Sequence, residues 1–362
     1  MKDAGLVKIS PLLFLPVVFL SCSRCSLEGN SAARGTPKQI TILTYNTENM
    51  FDDTANGSEY REYDPGAGEW TTELYHLRLA RLADVLSAVP PKGPDIAALQ
   101  EIENKRVLDD LREQYVKQLG YRHAVCPEAP GSAVNTAVLS RFPVTGVFTH
   151  MIDAEDSEGL RYITEVHIDV EGLRLVIINN HWKSKSGGTK ATEPLRIQAA
   201  GLIRRRITEL AGEWPEAEVV VLGDFNENHD EYSRIGSAYP TAFIPAAELP
   251  AASVPADFRG LVLTEDAAAA GTSGGAAVLF TVWGSVQAPG SYAYKRMWET
   301  LDNMLLPPAL FDDRGLVFAG AEVFGPAFLL DAEGYPLRWN ADTREGYSDH
   351  LPLKLTLEVC GR

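Results

Sequence analysis

Cysteine and positive charge are what this chain has least of. Four cysteines in 362 residues do not make a disulfide scaffold. Cys22 and Cys25 fall near the N-terminus, while Cys126 and Cys360 stand far apart in sequence and could pair in an exported protein. No cysteine–histidine spacing suggests a structural zinc site. The formal charge is −16, so no global basic field draws in a polyanion. That argues against a high-affinity, sequence-reading DNA binder of the usual basic kind; any nucleic acid must be met by a local patch or by bound cations. The N-terminal apolar run, "ISPLLFLPVVFLSC" (9–22), is too short to span a bilayer.

That run follows Lys2 and Lys8 and ends in small residues, so residues 1–21 read as an export signal. "FLSC" (Phe19–Cys22) resembles a bacterial lipobox, in which Cys22 becomes the lipidated first residue; a plain signal peptide cut nearby is the alternative. Residues 22–38 are small and polar, as a surface tether should be. The expectation is one domain over residues 39–362 in an exported, monomeric protein. It would be anchored to the membrane of a bacterial cell envelope through Cys22, or else secreted or periplasmic.

Within that domain strands and helices alternate. "ITILTYN" (Ile40–Asn46), "DIAALQE" (Asp95–Glu101), "NTAVLSRFPV" (Asn135–Val144), "RYITEVHIDV" (Arg161–Val170), "LRLVIINNH" (Leu173–His181) and "AEVVVLGDFN" (Ala217–Asn226) read as strands. Tyr75, Leu79, Leu82, Leu86 and Val89 repeat at helical spacing, and a second amphipathic stretch carries Val107, Leu108, Leu111, Tyr115 and Leu119. Pro194 is expected to open a helix reaching about Leu210. Residues 236–290, rich in Ala, Gly and Pro, read as long loops with short elements. "ETLDNMLL" (Glu299–Leu306) and "LPLKLTLEV" (Leu351–Val359) are late strands. The pattern is that of an α/β protein with mixed sheets.

The informative feature is what ends the strands. Asn46 with Glu48, Gln100 with Glu101, Asn179 to His181, and Asp224 each follow an apolar run; Asp302 lies inside one and Asp349–His350 precede another. One such residue is ordinary turn chemistry. Six such ends, nearly all Asp, Glu, Asn or His, are harder to explain that way, and the carboxylates among them would repel if brought together unless a cation neutralised them. Oxygen donors point to a hard cation, Mg²⁺ or Mn²⁺. Asp224, Asn226 and Asn228 mimic a calcium loop, but His229 replaces the glycine and Ile235 the glutamate, which excludes it.

Together "TYNTENMFD", "DIAALQEIEN", "NNHWKSKSGG", "VVLGDFNEN", "ETLDNML" and "YSDHLPLKL" resemble the endonuclease/exonuclease/phosphatase superfamily, of DNase-I-like fold, over about residues 39–360. "YNTENMFDD" and "PGSYAYKRMWETLDNML" look most like a bacterial exported branch of it. The resemblance implies a four-layer sandwich, two mixed β-sheets face to face with helices outside, and a site where strand ends meet. It implies metal ligation by Glu101 with Asn46 and Asp349, and orientation or deprotonation of the attacking water by Asp224. Asn226 would bond a phosphoryl oxygen. His350 would face the phosphate with Asp302 fixing its tautomer, and His181 would be a second phosphate-facing histidine.

Three function classes remain: a metal-dependent nuclease acting on DNA or RNA, a lipid head-group phosphodiesterase or inositol-phosphate phosphatase, and a non-catalytic surface binding protein. Every expected catalytic position is filled, which weighs against the last. "NHWKSKSGG" resembles exported nucleases, and a sequence-non-specific nuclease is the favoured reading. Lys183 and Lys185 could contact phosphate or solvate a loop; Arg204–Arg206 read as a solvated helix face. "VLFTVWGSV" (Val278–Val286) is the one candidate for an exposed aromatic hairpin of a membrane-reading enzyme, and reads equally as a buried strand.

Overall fold

The computed structural model describes residues 37–153, 159–248, 258–273 and 276–361. The export signal and Cys22 lie outside the described residues. The first half of the chain contributes β1 (Gln39–Met50), β2 (Ile96–Ile102), β3 (His123–Val125), β4 (Asn135–Ser140), β5 (Val144–His150), β6 (Ile163–Val170), β7 (Leu173–His181) and β8 (Glu218–Asp224). The second half adds β9 (Phe243–Pro245), β10 (Leu261–Thr264), β11 (Gly271–Ser273), β12 (Ala276–Thr281), β13 (Tyr292–Tyr294), β14 (Met297–Glu299), β15 (Asp302–Leu306), β16 (Leu316–Val323) and β17 (Leu353–Val359). The principal helices are α1 (Thr72–Ala88), α2 (Lys105–Asp110) and α3 (Thr189–Glu213).

Among the described residues one sheet runs β16-β17-β1-β2-β4-β3 and the other β5-β6-β7-β8-β15-β12-β10-β9, with β11 on β12. Both are mixed: β1–β2 and β7–β8 are parallel, while β1–β17 and β8–β15 are antiparallel. Strand periodicity explains the layering, because alternate residues face opposite sides. Ile40, Ile42, Ile96 and Val138 of the first sheet pack against Val166, Ile177, Val220 and Leu222 of the second. Leu43, Tyr45, Ala97 and Leu99 turn outward onto α1 and α2, and Val176, Ile178, Val219 and Val221 turn outward onto Ala200, Ile203 and Ile207 of α3. The expected four-layer sandwich is the observed one. Thr71 caps α1 by accepting the Leu74 N–H, and the expected stripe of Tyr75, Leu79, Leu82 and Leu86 is buried.

Several local expectations fail for identifiable reasons. The run Asn135–Val144 is two strands: β4 ends at Ser140, whose hydroxyl closes a turn with Phe142, and Pro143, whose carbonyl accepts the Asp169 N–H, leads into the other sheet. Pro194 lies inside α3, whose start is set five residues earlier by Gly187 and Gly188 with φ of 95° and 111°. Residues 236–290 do hold loops with short elements, and three of these, β9, β10 and β12, join the second sheet. Val278 to Phe280 and Trp283 are buried, so of the two readings of Val278–Val286 the buried strand holds and the exposed hairpin does not. Arg206 is not solvated: its guanidinium makes a two-point contact with buried Glu165, at 2.7 and 3.0 Å. Cys126 is a buried free thiol, so the Cys126–Cys360 bridge is not made.

Candidate functional site

Strand direction brings the polar ends together. Asn46, Glu101, His181 and Asp224 lie towards or at the C-terminal ends of β1, β2, β7 and β8, which run the same way in parallel pairs. Antiparallel β15 starts where β8 ends, pairing Asp302 with Asp224, and His350 stands just before antiparallel β17. Gly223 is required by this convergence: at φ 130° a Cβ there would sit 2.1 Å from the Asn180 carbonyl oxygen. Glu48, Asn49, Glu101 and Asn226 all have left-handed backbone, φ 49–62°. Such residues cost about 1–3 kcal/mol each and persist where surroundings over-determine them, commonly at functional sites.

Not every polar strand end faces the cleft. Gln100 Nε2 donates to Asn179 Oδ1 at 2.7 Å, and Asn179 Nδ2 donates to the Leu99 and Ala137 carbonyls. Asn180 bonds the Ile178 and Leu222 carbonyls and Trp182. These amides clamp sheet to sheet and strand to strand. They hold the site and do not line it.

The cleft residues form one network. His350 Nδ1 is 2.7 Å from Asp302 Oδ2, which also accepts Ser291 Oγ at 2.6 Å. His350 Nε2 lies 4.0 Å from Asp224 and 3.9 Å from Asp349. Asp224 Oδ1 accepts the Asn226 N–H at 2.8 Å, and its Oδ2 accepts Asn46 Nδ2 at 3.0 Å and Asn226 Nδ2 at 3.3 Å. Asn226 also donates to the Trp182 carbonyl, so as placed its amide orients Asp224 and could reach a phosphoryl oxygen only by giving up a bond. His181 Nε2 is 3.6 Å from Glu101 and 3.7 Å from Asp224, while its buried Nδ1 has no hydrogen-bond partner. With carboxylates on one side only, the proton belongs on Nε2, aimed into the cleft.

The electrostatics separate these groups. Burial opposes the charged form of His350, but the adjacent Asp302 carboxylate, with Asp224 and Asp349, holds it well above the usual histidine range. Burial, reinforced by Arg161 and His350, keeps His181 well below that range and neutral. Burial pushes Asp224 up to about 7 against the pull of His350, near the value a general base at neutral pH needs.

Two donor sets could hold a cation. Asp224, Asp302 and His350 each offer an atom within 4.8 Å of the others. A histidine held protonated is a poor ligand, however, and the Asp302 oxygen facing it already accepts two bonds. A second set would be Glu101 with Asp349: their carboxylates are 18% and 25% exposed, Glu101 Oε2 accepts the Asn49 N–H at 2.7 Å, and Oε1 accepts Asn46 Nδ2 at 3.1 Å, a bond that an ion would replace. Asn46 Oδ1 accepts the Glu48 N–H at 3.0 Å, so its amide would have to turn to offer oxygen to an ion.

Sequence reasoning missed the residues that build the walls. Arg78 of α1 donates to the Thr47 and Glu48 carbonyls at 2.6 Å and to that of Tyr347, tying the irregular end of β1 to the loop carrying His350. Glu48 accepts the Asp349 N–H at 3.0 Å and pairs with Arg338. Arg161, whose buried Nε has no hydrogen-bond partner, lines a recess with Leu160, His181 and Lys183. Lys185 is held by Glu231 at 2.9 Å and Glu299 at 3.1 Å, which leaves Lys183 as the lysine of that pair beside the cleft.

Comparison with known proteins agrees with this architecture. The fold is similar to that of Danio rerio TDP2 complexed with single strand DNA product (14% identity, TM-score 0.52, 89% of this chain and 99% of that one). It is also similar to an endonuclease/exonuclease/phosphatase family protein from Bacteroides thetaiotaomicron (16%, 0.50, 89% and 95%) and to beta toxin from Staphylococcus aureus (16%, 0.50, 87% and 99%). A comparison with curated proteins finds no match. The model of the Endonuclease/Exonuclease/phosphatase family matches residues 41–237, more than half of the chain, and the chain belongs to that family.

Proposed function

We propose that the protein is a metal-dependent phosphodiester hydrolase and that its substrate is a nucleic acid cut with little sequence preference. The observation that carries the reading is the convergence of a buried Asp224 with a charged, carboxylate-backed His350 and a neutral His181 on one cleft. Asp224 accepts a proton from the attacking water, held in orientation by Asn226 and Asn46. His350 presents Nε2–H to the phosphoryl oxygen on which charge develops, its ring fixed by Asp302. His181 donates a second, uncharged hydrogen bond to the same group. Glu101 and Asp349, with Asn46 if its amide turns, would hold Mg²⁺ or Mn²⁺. Bound there, the ion would polarise the phosphoryl group and stabilise the leaving oxygen.

Nucleic acid is favoured by the local cations of an otherwise acidic chain: Arg161 and Lys183 flank His181, and contact through phosphates needs no base-reading element. The Cys22 anchor would place this activity at the cell envelope; identical detergent partitioning of wild type and Cys22→Ala would remove that part. To test the activity, the purified protein is offered plasmid DNA, RNA, sphingomyelin and inositol phosphates, with Mg²⁺ or Mn²⁺ and in chelator. Cation-dependent cleavage of DNA or RNA is expected. Turnover of only the lipid or inositol substrate would transfer the chemistry to another ester, and full activity in chelator would refute the mechanism.

A further inference from the structure

The segment "SYAYKRMWET" (Ser291–Thr300) forms the β13–β14 hairpin, which stands on the candidate dyad. Ser291 Oγ holds Asp302, Leu351 N–H donates to the Ser291 carbonyl at 2.7 Å, and the Tyr292 ring lies 4.6 Å from that of His350. The other strand is fixed through Glu299 to Lys185. Cross-strand register puts Tyr292 opposite Glu299 and Tyr294 opposite Met297, with Ala293 and Trp298 on the reverse face. On that reverse face Trp298 stacks on Tyr335 at 5.3 Å. The face that begins at His350 therefore continues outward through Tyr292 to Tyr294 and Met297. These last two are 51% and 63% exposed, the most exposed large apolar side chains among the described residues.

The turn is equally unusual. Lys295 and Arg296 both have left-handed backbone, φ 50° and 64°, in positions that Asn-Gly fills most readily. The Lys295 ammonium sits 5.0 Å from the centre of the Tyr294 ring, and Arg296 lies over Tyr335 while remaining near Glu333. A π face and a thioether thus meet one cation, Lys295, on an arm roughly 10 Å long, the reach of a three-residue strand, with Arg296 on the Tyr335 side.

We propose that this face is a stacking platform for a nucleobase of a single-stranded DNA or RNA segment next to the scissile phosphate. Tyr294 and Met297 take the base, and Lys295 meets the flanking phosphate. The proposal rests on the nucleic-acid reading of the cleft. Aromatic surface interleaved with cations is the chemistry of single-strand binding. A bilayer fits less well, because Lys295 and Arg296 occupy the turn at the tip, with the apolar pair behind them on one face of the hairpin.

The test compares wild type, Tyr294→Ala and Tyr294→Phe on a short single-stranded oligonucleotide and on bis(4-nitrophenyl) phosphate, a diester too small to reach the arm. The readout is the ratio of the two kcat/KM values. Tyr294→Ala should lower it about tenfold, carried mainly by KM for the oligonucleotide, and Tyr294→Phe should restore it. If wild type cuts the oligonucleotide and the ratio is unmoved by Tyr294→Ala, the platform is wrong while the nuclease reading stands. An oligonucleotide that wild type neither binds nor cuts, while the small diester is hydrolysed, overturns both. If instead binding to phosphatidylglycerol vesicles depends on Tyr294 and oligonucleotide turnover does not, the arm is a membrane contact and the proposal fails.

Discussion

His181 and His350 close one cleft from opposite sheets, and their surroundings give them opposite character. His350 meets three carboxylates and is held charged; His181 shares two of its neighbours, Asp224 and Glu101, with Asn46, feels Arg161 and the charge of His350, and is held neutral. The side chain is the same on both walls. What differs is the partner behind it: Asp302 2.7 Å from Nδ1 of one, and no hydrogen-bond partner at Nδ1 of the other. A phosphoryl group between them would meet one full positive charge and one directional hydrogen bond, which is what distinguishes a charge stabiliser from a positioning group.

The largest expected effect comes from removing a charged participant. Asp224→Ala and His350→Ala should each lower the rate of diester hydrolysis by about 10²–10⁴. Circular dichroism should show both variants folded, since each side chain faces the cleft and not a hydrophobic layer. Asp302→Asn should come next, because it makes His350 resemble His181. A loss of about a hundredfold is expected together with a displaced pH profile. His350 is raised above its ordinary value, so its charged form is lost as pH rises through the folded pKa; without the Asp302 charge that limb should move to lower pH. By the same linkage the pair stabilises the fold fully below about pH 6.5 and less as pH rises through the folded value. A thermal melt across pH reads this directly, and a profile unchanged in Asp302→Asn would remove the dyad.

Smaller effects sharpen the contrast on the His181 side. Glu101→Gln should weaken apparent Mg²⁺ affinity by about 10–100-fold, visible as a cation titration displaced to higher concentration. Arg161→Ala should raise KM about tenfold, as expected when a charged hydrogen-bond donor to phosphate is lost, with kcat moving less. Lys185→Ala should leave KM near wild type and cost stability of about 1 kcal/mol, because its partners are Glu231 and Glu299. Equal KM effects at Arg161 and Lys185 would erase the distinction between substrate-facing and structural cations.

The sandwich and the cleft residues were legible because both leave periodic or terminal signals. Apolar runs marked β1, β7 and β8, and a polar residue at each end marked the edge where they meet. Gln100, Asn179 and Asn180 show the limit of that signal: an amide that clamps two sheets looks in sequence like an amide that lines a site. Arg161 was hidden because it sits just before β6 as one charge in an ordinary strand pattern. The β13–β14 hairpin was hidden because strands of three residues are too short to show alternation, and its Lys-Arg turn lacks glycine. Strand β16 escaped for another reason: its partly exposed residues give no clean period.

The opposed states of the two histidines can be read most directly by nitrogen-15 NMR of the imidazoles in the protein across pH 5 to 9. At pH 7.5 His350 should carry protons on both ring nitrogens, and His181 should be neutral with its proton on Nε2. Asp302→Asn should convert the His350 signal to a neutral ring at that pH. Both imidazoles titrating together near the ordinary value of about 6.5 would contradict the division of labour on which the proposed chemistry depends.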